Sequence, residues 1–159
     1  MKMSLEQMIE EDHNLLRNGM DAVADSTIED VDERLEMFAE IASRLFAHEK
    51  AEQETIHAQM KMYDETKPLA LLAEEQERIA RVLAVELKDV KLDDELWLPK
   101  FLALQGLLLQ HMSFEEDSIM PLAKQMLDQA TMNRLGIDFE RHEKEDFKQS
   151  EMVYQKAKE

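Results

Sequence analysis

Apolar residues recur at spacings of three and four through most of the chain, with polar residues between them. A period near 3.6 marks amphipathic helices. Three Gly and three Pro punctuate the chain, too few for the turns of a strand-rich fold, so the pattern predicts an all-α protein. The first predicted helix opens at Ser4, whose hydroxyl can cap it while Gln7 completes a capping box. Its stripe is Leu5, Ile9, Leu16, Met20 and Val23, with His13 in the slot between Ile9 and Leu16. Ser26 and Thr27 break it. The second helix runs from about Asp30 to about Met62, through Leu35, Phe38, Ala42 and Leu45 and on into His48 and Glu52. Pro68, after Thr66 and Lys67, suits the first position of a third helix, whose inner stripe is Leu69, Leu72, Gln76, Ile79, Leu83 and Val90. KLDDEL at 91–96 leads to a fourth, beginning at Asp93 or at Pro99. That helix turns Phe101, Leu104, Leu108, His111, Glu115 and Ile119 inward, and Pro121 marks its kink or its end. A fifth, at about 128–150, faces Met132, Leu135 and Phe139 inward, with fraying expected past Lys148.

Polar residues on the inner stripes change this picture. HEKAEQETIHA at 48–58 aligns without a gap on HMSFEEDSIMP at 111–121, an offset of 63 residues that pairs His48 with His111 and Glu52 with Glu115. In each copy a histidine precedes a glutamate by four positions, about 40° beyond a full helical turn, so both side chains leave one face. Such a pair is common as a solvated contact, but imidazole and carboxylate together also suit a borderline metal ion. Two copies in register favour the metal. The same offset places His13 on Gln76, and each lies 35 residues before the histidine of its copy. Two helical hairpins of one design thus predict an up-and-down four-helix bundle over about 4–125, with an additional C-terminal helix, the whole of 1–159 being a single domain. One polar layer of His13, His48, Glu52, Gln76, His111 and Glu115 crosses its core. Left unpaired, those groups would cost several kcal/mol each to bury, which a bound cation removes.

Charge narrows the partners. Nineteen Lys and Arg against 36 Asp and Glu give a net charge of −17, which argues against nucleic acid and anionic membranes. There is no cysteine, hence no disulfide, thiolate site or cysteine nucleophile. The N-terminus lacks the apolar core of a signal peptide, and FLALQGLLL at 101–109 is too short to span a bilayer. A cytoplasmic location is expected.

These residues resemble the hemerythrin-like family, the HHE cation-binding domains. The resemblance rests on His13, on His48 with Glu52, and on His111 with Glu115, followed by Glu116 and Pro121. It implies a non-haem iron site, di-iron in preference to mononuclear, inside the bundle. In it Glu52 and Glu115 bridge, His48 and His111 are terminal nitrogen ligands, and His13 is a further one. It also implies open coordination for a diatomic gas (O2 or NO) or peroxide. Gln76 and Ala80 stand where oxygen carriers supply two histidines, so the resemblance leaves one iron short of nitrogen ligands, to be completed by water, Gln76 or a neighbouring carboxylate. Reversible oxygen carriage is thereby disfavoured against sensing, peroxide handling or iron holding.

Neighbouring residues receive blander readings. Gln76 reads as a hydrogen-bonding filler before a ligand, and Glu116 as a solvated acid that ligates only if its helix rotates. His57, nine residues past His48, falls on the opposite helical face, favouring a surface or packing role. His142 reads as partly exposed and salt-bridged. Glu10–His13 and Glu54–His57 mimic a ferritin-like ExxH pair, but on consecutive helices rather than alternate ones. The twelve methionines read as core filler. The leading function is binding or sensing of O2, NO or peroxide at iron. Beside it stand a peroxide-decomposing or iron-donating enzyme at the same site, and a metal-poor acidic helical interaction module. The cysteine-bearing N-terminal segment typical of repair proteins is missing, which favours peroxide among the enzymatic readings. A protein partner or a homodimer stays open.

Overall fold

Helices α1 (Leu5–Ala24), α2 (Val31–Glu54), α4 (Lys67–Lys88) and α5 (Trp97–Phe114) form the bundle in the computed structural model, which describes residues 2–156 and side chains as far as residue 149. Each packs on the next, and α5 closes back onto α1. The short α3 (Ile56–Met60) follows α2. A π-helical segment, Glu115–Ile119, continues α5 into α6 (Met120–Met126). The long α7 (Gln129–Lys156) lies along α2 and touches α1. No strand occurs among the described residues. Helical backbone persists through Lys156, past the point where fraying is expected; residues 157–159 lie outside the described residues.

Local signals explain several boundaries. Ser4 Oγ accepts from the Gln7 amide at 3.2 Å and the Gln7 side chain accepts from the Ser4 amide at 2.9 Å, the expected capping box. Asp30 caps α2 through the Glu33 amide at 2.9 Å. Trp97 opens α5, between the two starts open in the sequence. At Thr55 the expected long second helix breaks: φ is −121° and ψ −91°, and the hydroxyl donates to the Ala51 carbonyl at 2.6 Å. The helical phase is lost there, and α3 restarts with a new one.

Two apolar layers sandwich the polar one, as expected. Leu16, Met20, Phe38, Leu45, Leu108 and their neighbours pack at the Trp97 end, where the Trp97 and Phe101 rings stack at 5.6 Å. Leu5, Ile9, Ile56, Ile119 and the α7 residues Met132, Leu135 and Phe139 pack at the other. Arg34 is buried beneath Trp97 and donates to Ser26 Oγ, to the Ser26 carbonyl and to the Leu92 carbonyl, tying two loops together. Leu35, by contrast, is exposed.

The inner face of α4 differs from the expected one. Leu72 and Ile79 are more than 40% exposed, while Ala70, Ala73, Glu77, Ala80, Ala84 and Leu87 are buried. Bulky residues misplace the phase because helix separation depends on the side chains at the contact, and an alanine stripe permits close approach to α5 and α2. Ile79→Gln is therefore expected to change stability by less than about 0.5 kcal/mol. Ala80→Leu should cost about 1–3 kcal/mol by overpacking, with urea unfolding as the measurement. Equal effects would restore the expected phase.

Candidate metal centre

Seven residues drawn from all four bundle helices and from the short segments that follow α2 and α5 meet in the polar layer. α1 brings His13, α2 brings His48 and Glu52, α3 His57, α4 Glu77, α5 His111, and the π-helical segment Glu115; none is more than 3% exposed. Ligand-type atoms of His13, His48, Glu52 and Glu115 lie within 4.8 Å of one another, as do those of Glu52, Glu77, His111 and Glu115. Glu52 and Glu115 belong to both groups. Within the first, His13 Nε2 is 3.1 Å from His48 Nε2 and 3.2 Å from Glu115 Oε2, and His48 Nε2 is 3.2 Å from Glu52 Oε1. Within the second, His111 Nε2 is 3.2 Å from Glu115 Oε1 and 3.6 Å from Glu77 Oε1. His57 Nε2 reaches Glu115 Oε1 at 3.3 Å.

Three of the histidines are held from behind. Gln76 Oε1 accepts from His111 Nδ1–H at 2.8 Å. Asp12 lies 3.0 Å from His48 Nδ1 and Glu116 2.8 Å from His13 Nδ1, with Arg17 bonded to the other side of Glu116. An acceptor on Nδ1 fixes the tautomer and leaves the Nε2 lone pair facing inward. The π-helical segment contributes here, since one wide turn points Glu115 into the core while Glu116 reaches α1.

Many of these atoms are buried without a hydrogen-bond partner among the described residues: Glu52 Oε2, Glu77 Oε1, His111 Nε2, both oxygens of Glu115 and both nitrogens of His57. Each orphaned buried polar group costs about 1–3 kcal/mol. Mixed nitrogen and carboxylate donors, converging and unsatisfied, fit a cation of the iron or zinc kind.

Proton affinities point the same way. Burial opposes a charge on His111, yet Glu115, Glu77 and Glu52 outweigh it and push its pKa up to about 11. His57 is likewise resisted by burial but pushed up to about 9 by the same three carboxylates. Burial and the nearby Glu115 raise Glu52 to about 6 against the pull of His48. Burial also opposes ionising Glu115, but His111, His13 and His57 hold it well below the usual range. Protons sit where the cluster wants positive charge.

Of the residues singled out in the sequence, the fold brings His13, His48, Glu52, His111 and Glu115 together. Gln76 and Glu116 touch only the outer edges of His111 and His13. Glu116 is a partner of His13 and Arg17 rather than a solvated acid. The surface reading of His57 is wrong: the break at Thr55 turns it inward, and it is fully buried. Glu77 escapes the sequence reading, although Ala70, Ala73, Ala80 and Ala84 mark its face. So does Glu49, fully buried with neither oxygen hydrogen-bonded among the described residues. Burial and the neighbouring Glu77 push its pKa well up, against the pull of His111, Arg81 and His48. His142 is part-exposed and paired with Glu54 at 2.6 Å, as expected.

Fold and site together define a helical-bundle protein whose interior His and Glu groups suit metal ions. Residues 4–123 match the hemerythrin HHE cation-binding domain, and the chain belongs to that family. No curated protein and no solved structure matches it. No helix among the described residues is long and apolar enough to cross a membrane.

Proposed function

We propose that this chain holds a pair of non-haem irons and uses them to bind or sense O2, NO or peroxide in the cytoplasm. The observation that carries the reading is the pair of buried four-residue groups sharing Glu52 and Glu115. His13 and His48 would complete one half, and His111, Glu77 and His57 the other. On this reading the second iron is not depleted by the absence of histidine at Gln76 and Ala80, because Glu77 and His57 stand in. When bound, iron supplies exchangeable coordination positions and redox electrons. Asp12, Glu116 and Gln76 orient the imidazoles, and the two apolar layers limit access of water along the bundle axis.

Elemental analysis after anaerobic ferrous loading tests the assignment. About two irons per chain are expected for the parent and for Gln76→Ala, and about one for Glu77→Gln. Loss of iron on changing Gln76 with retention on changing Glu77 would reverse the roles given to these neighbours.

A further inference from the structure

Glu77 is 1% exposed, yet its side chain lines a cavity of about 380 Å³ between α2, α3 and α4. The lining is polar throughout: Gln53, Lys61, Glu74, Glu77, Arg78 and Arg81. At the floor, Gln53 Nε2 donates to Glu77 Oε2 at 2.6 Å, leaving Oε1 toward His57 and His111. At the rim, the Lys61, Arg78 and Arg81 side chains are between 33% and 61% exposed. Lys61 pairs with Glu74 and Arg78 with Glu75, and Arg81 lies 3.7 Å from Glu49. The lining sets three cations, Lys61, Arg78 and Arg81, against two carboxylates, Glu74 and Glu77, on a chain whose net charge is −17. Such a local inversion of sign concentrates small anions.

A second cavity near the site leads elsewhere. It measures about 120 Å³, lies between α1, α2 and α7 beside Arg44 and Lys144, and touches His48. There Asp12 sits at 3.0 Å on His48 Nδ1, with Glu143 at 3.9 Å, so this cavity ends on the outer edge of the imidazole. This smaller cavity meets the His13–His48 half only at that outer edge, whereas the larger one meets the other half at the Glu77 carboxylate, behind Gln53.

We propose that exogenous ligands reach the centre through the Glu77 cavity, and that Lys61, Arg78 and Arg81 make it selective for small monoanions. The inference rests on the metal-pair reading, and its test separates the two. Iron content is measured first, on the parent, a Lys61→Glu/Arg78→Glu double variant and an Arg44→Glu/Lys144→Glu double variant. Azide is then the probe, its association with the ferric proteins followed by stopped-flow absorption. The Lys61/Arg78 variant is expected to bind azide about tenfold more slowly at low salt, with an unchanged dissociation rate and a difference that fades at high salt. Association of neutral NO with the ferrous protein should not slow in the same variant. Arg44→Glu/Lys144→Glu should match the parent throughout. Equal azide rates in parent and Lys61/Arg78 variant, with iron bound, would overturn the route alone. Slowing confined to the Arg44/Lys144 variant would assign entry to the other cavity. A parent that takes up no iron would overturn the route and the metal pair together.

Discussion

On the proposed metal pair, Glu115→Gln is expected to take the iron content of the loaded protein from about two per chain to near zero, because both buried four-residue groups share this one carboxylate. Glu115 Oε2 faces His13, and Oε1 faces His111 and His57. The amide keeps the shape and loses the charge, and replaces one inward acceptor by a donor pointing at nitrogens that need an acceptor or a cation. Its neighbour gives the contrast. Glu116 touches the outer nitrogen of His13 and the Arg17 guanidinium, with its side chain 26% exposed. Glu116→Gln should keep both irons and lower affinity by about 10–100-fold, the usual effect of a changed outer partner. Elemental analysis with a competing chelator measures both. Equal iron content in the two variants would remove Glu115 from the shared position.

Emptying the centre should destabilise the protein and make its stability fall with rising pH. Metal present at about a thousand times its dissociation constant adds about 4 kcal/mol, or about 10 °C in Tm for a chain of this size. In the metal-free protein, protons replace the cations. His57 has a pKa of about 9 when folded against 6.5 ordinarily, so its contribution is complete below pH 6.5 and lost as the pH rises through 9. That loss is about 2 kcal/mol between pH 7 and 10 for His57 alone, and His111, at about 11, extends it upward. The loaded protein should hold its Tm over the same range, since metal has displaced those protons. Thermal unfolding of both forms at several pH values is the measurement. A Tm indifferent to metal and flat from pH 7 to 10 would make the polar layer vestigial.

Much of the centre is legible in the sequence because it sits on uninterrupted helix. Within one helix, spacing alone determines which side chains share a face, and His48 with Glu52, and His111 with Glu115, keep that relation in the structure. His13 stands out the same way, as a polar residue inside an apolar stripe that is buried throughout. The 63-residue repeat then places the two motifs at one level. On α4 the same logic slips by one residue. Leu72 and Ile79 outweigh alanines in any hydrophobic count, yet the alanines face inward because the partner helices come close. That slip exchanges Gln76 for Glu77.

Composition and periodicity by themselves determined that this chain is all-α, that two hairpins pair into a bundle, and that a polar layer crosses its core. These are local properties, set by side-chain spacing along a regular helix and by the cost of burying unpaired charge. Tertiary structure alone decided which further residues join the polar layer. His57 enters because one residue, Thr55, leaves helical geometry and resets the phase of everything after it. Glu77 enters because helix separation, set by the whole interface, selects the inward face of α4. The division of labour between Glu115 and Glu116 likewise depends on a π-helical turn, whose wider spacing belongs to the packing around it rather than to the residues it contains.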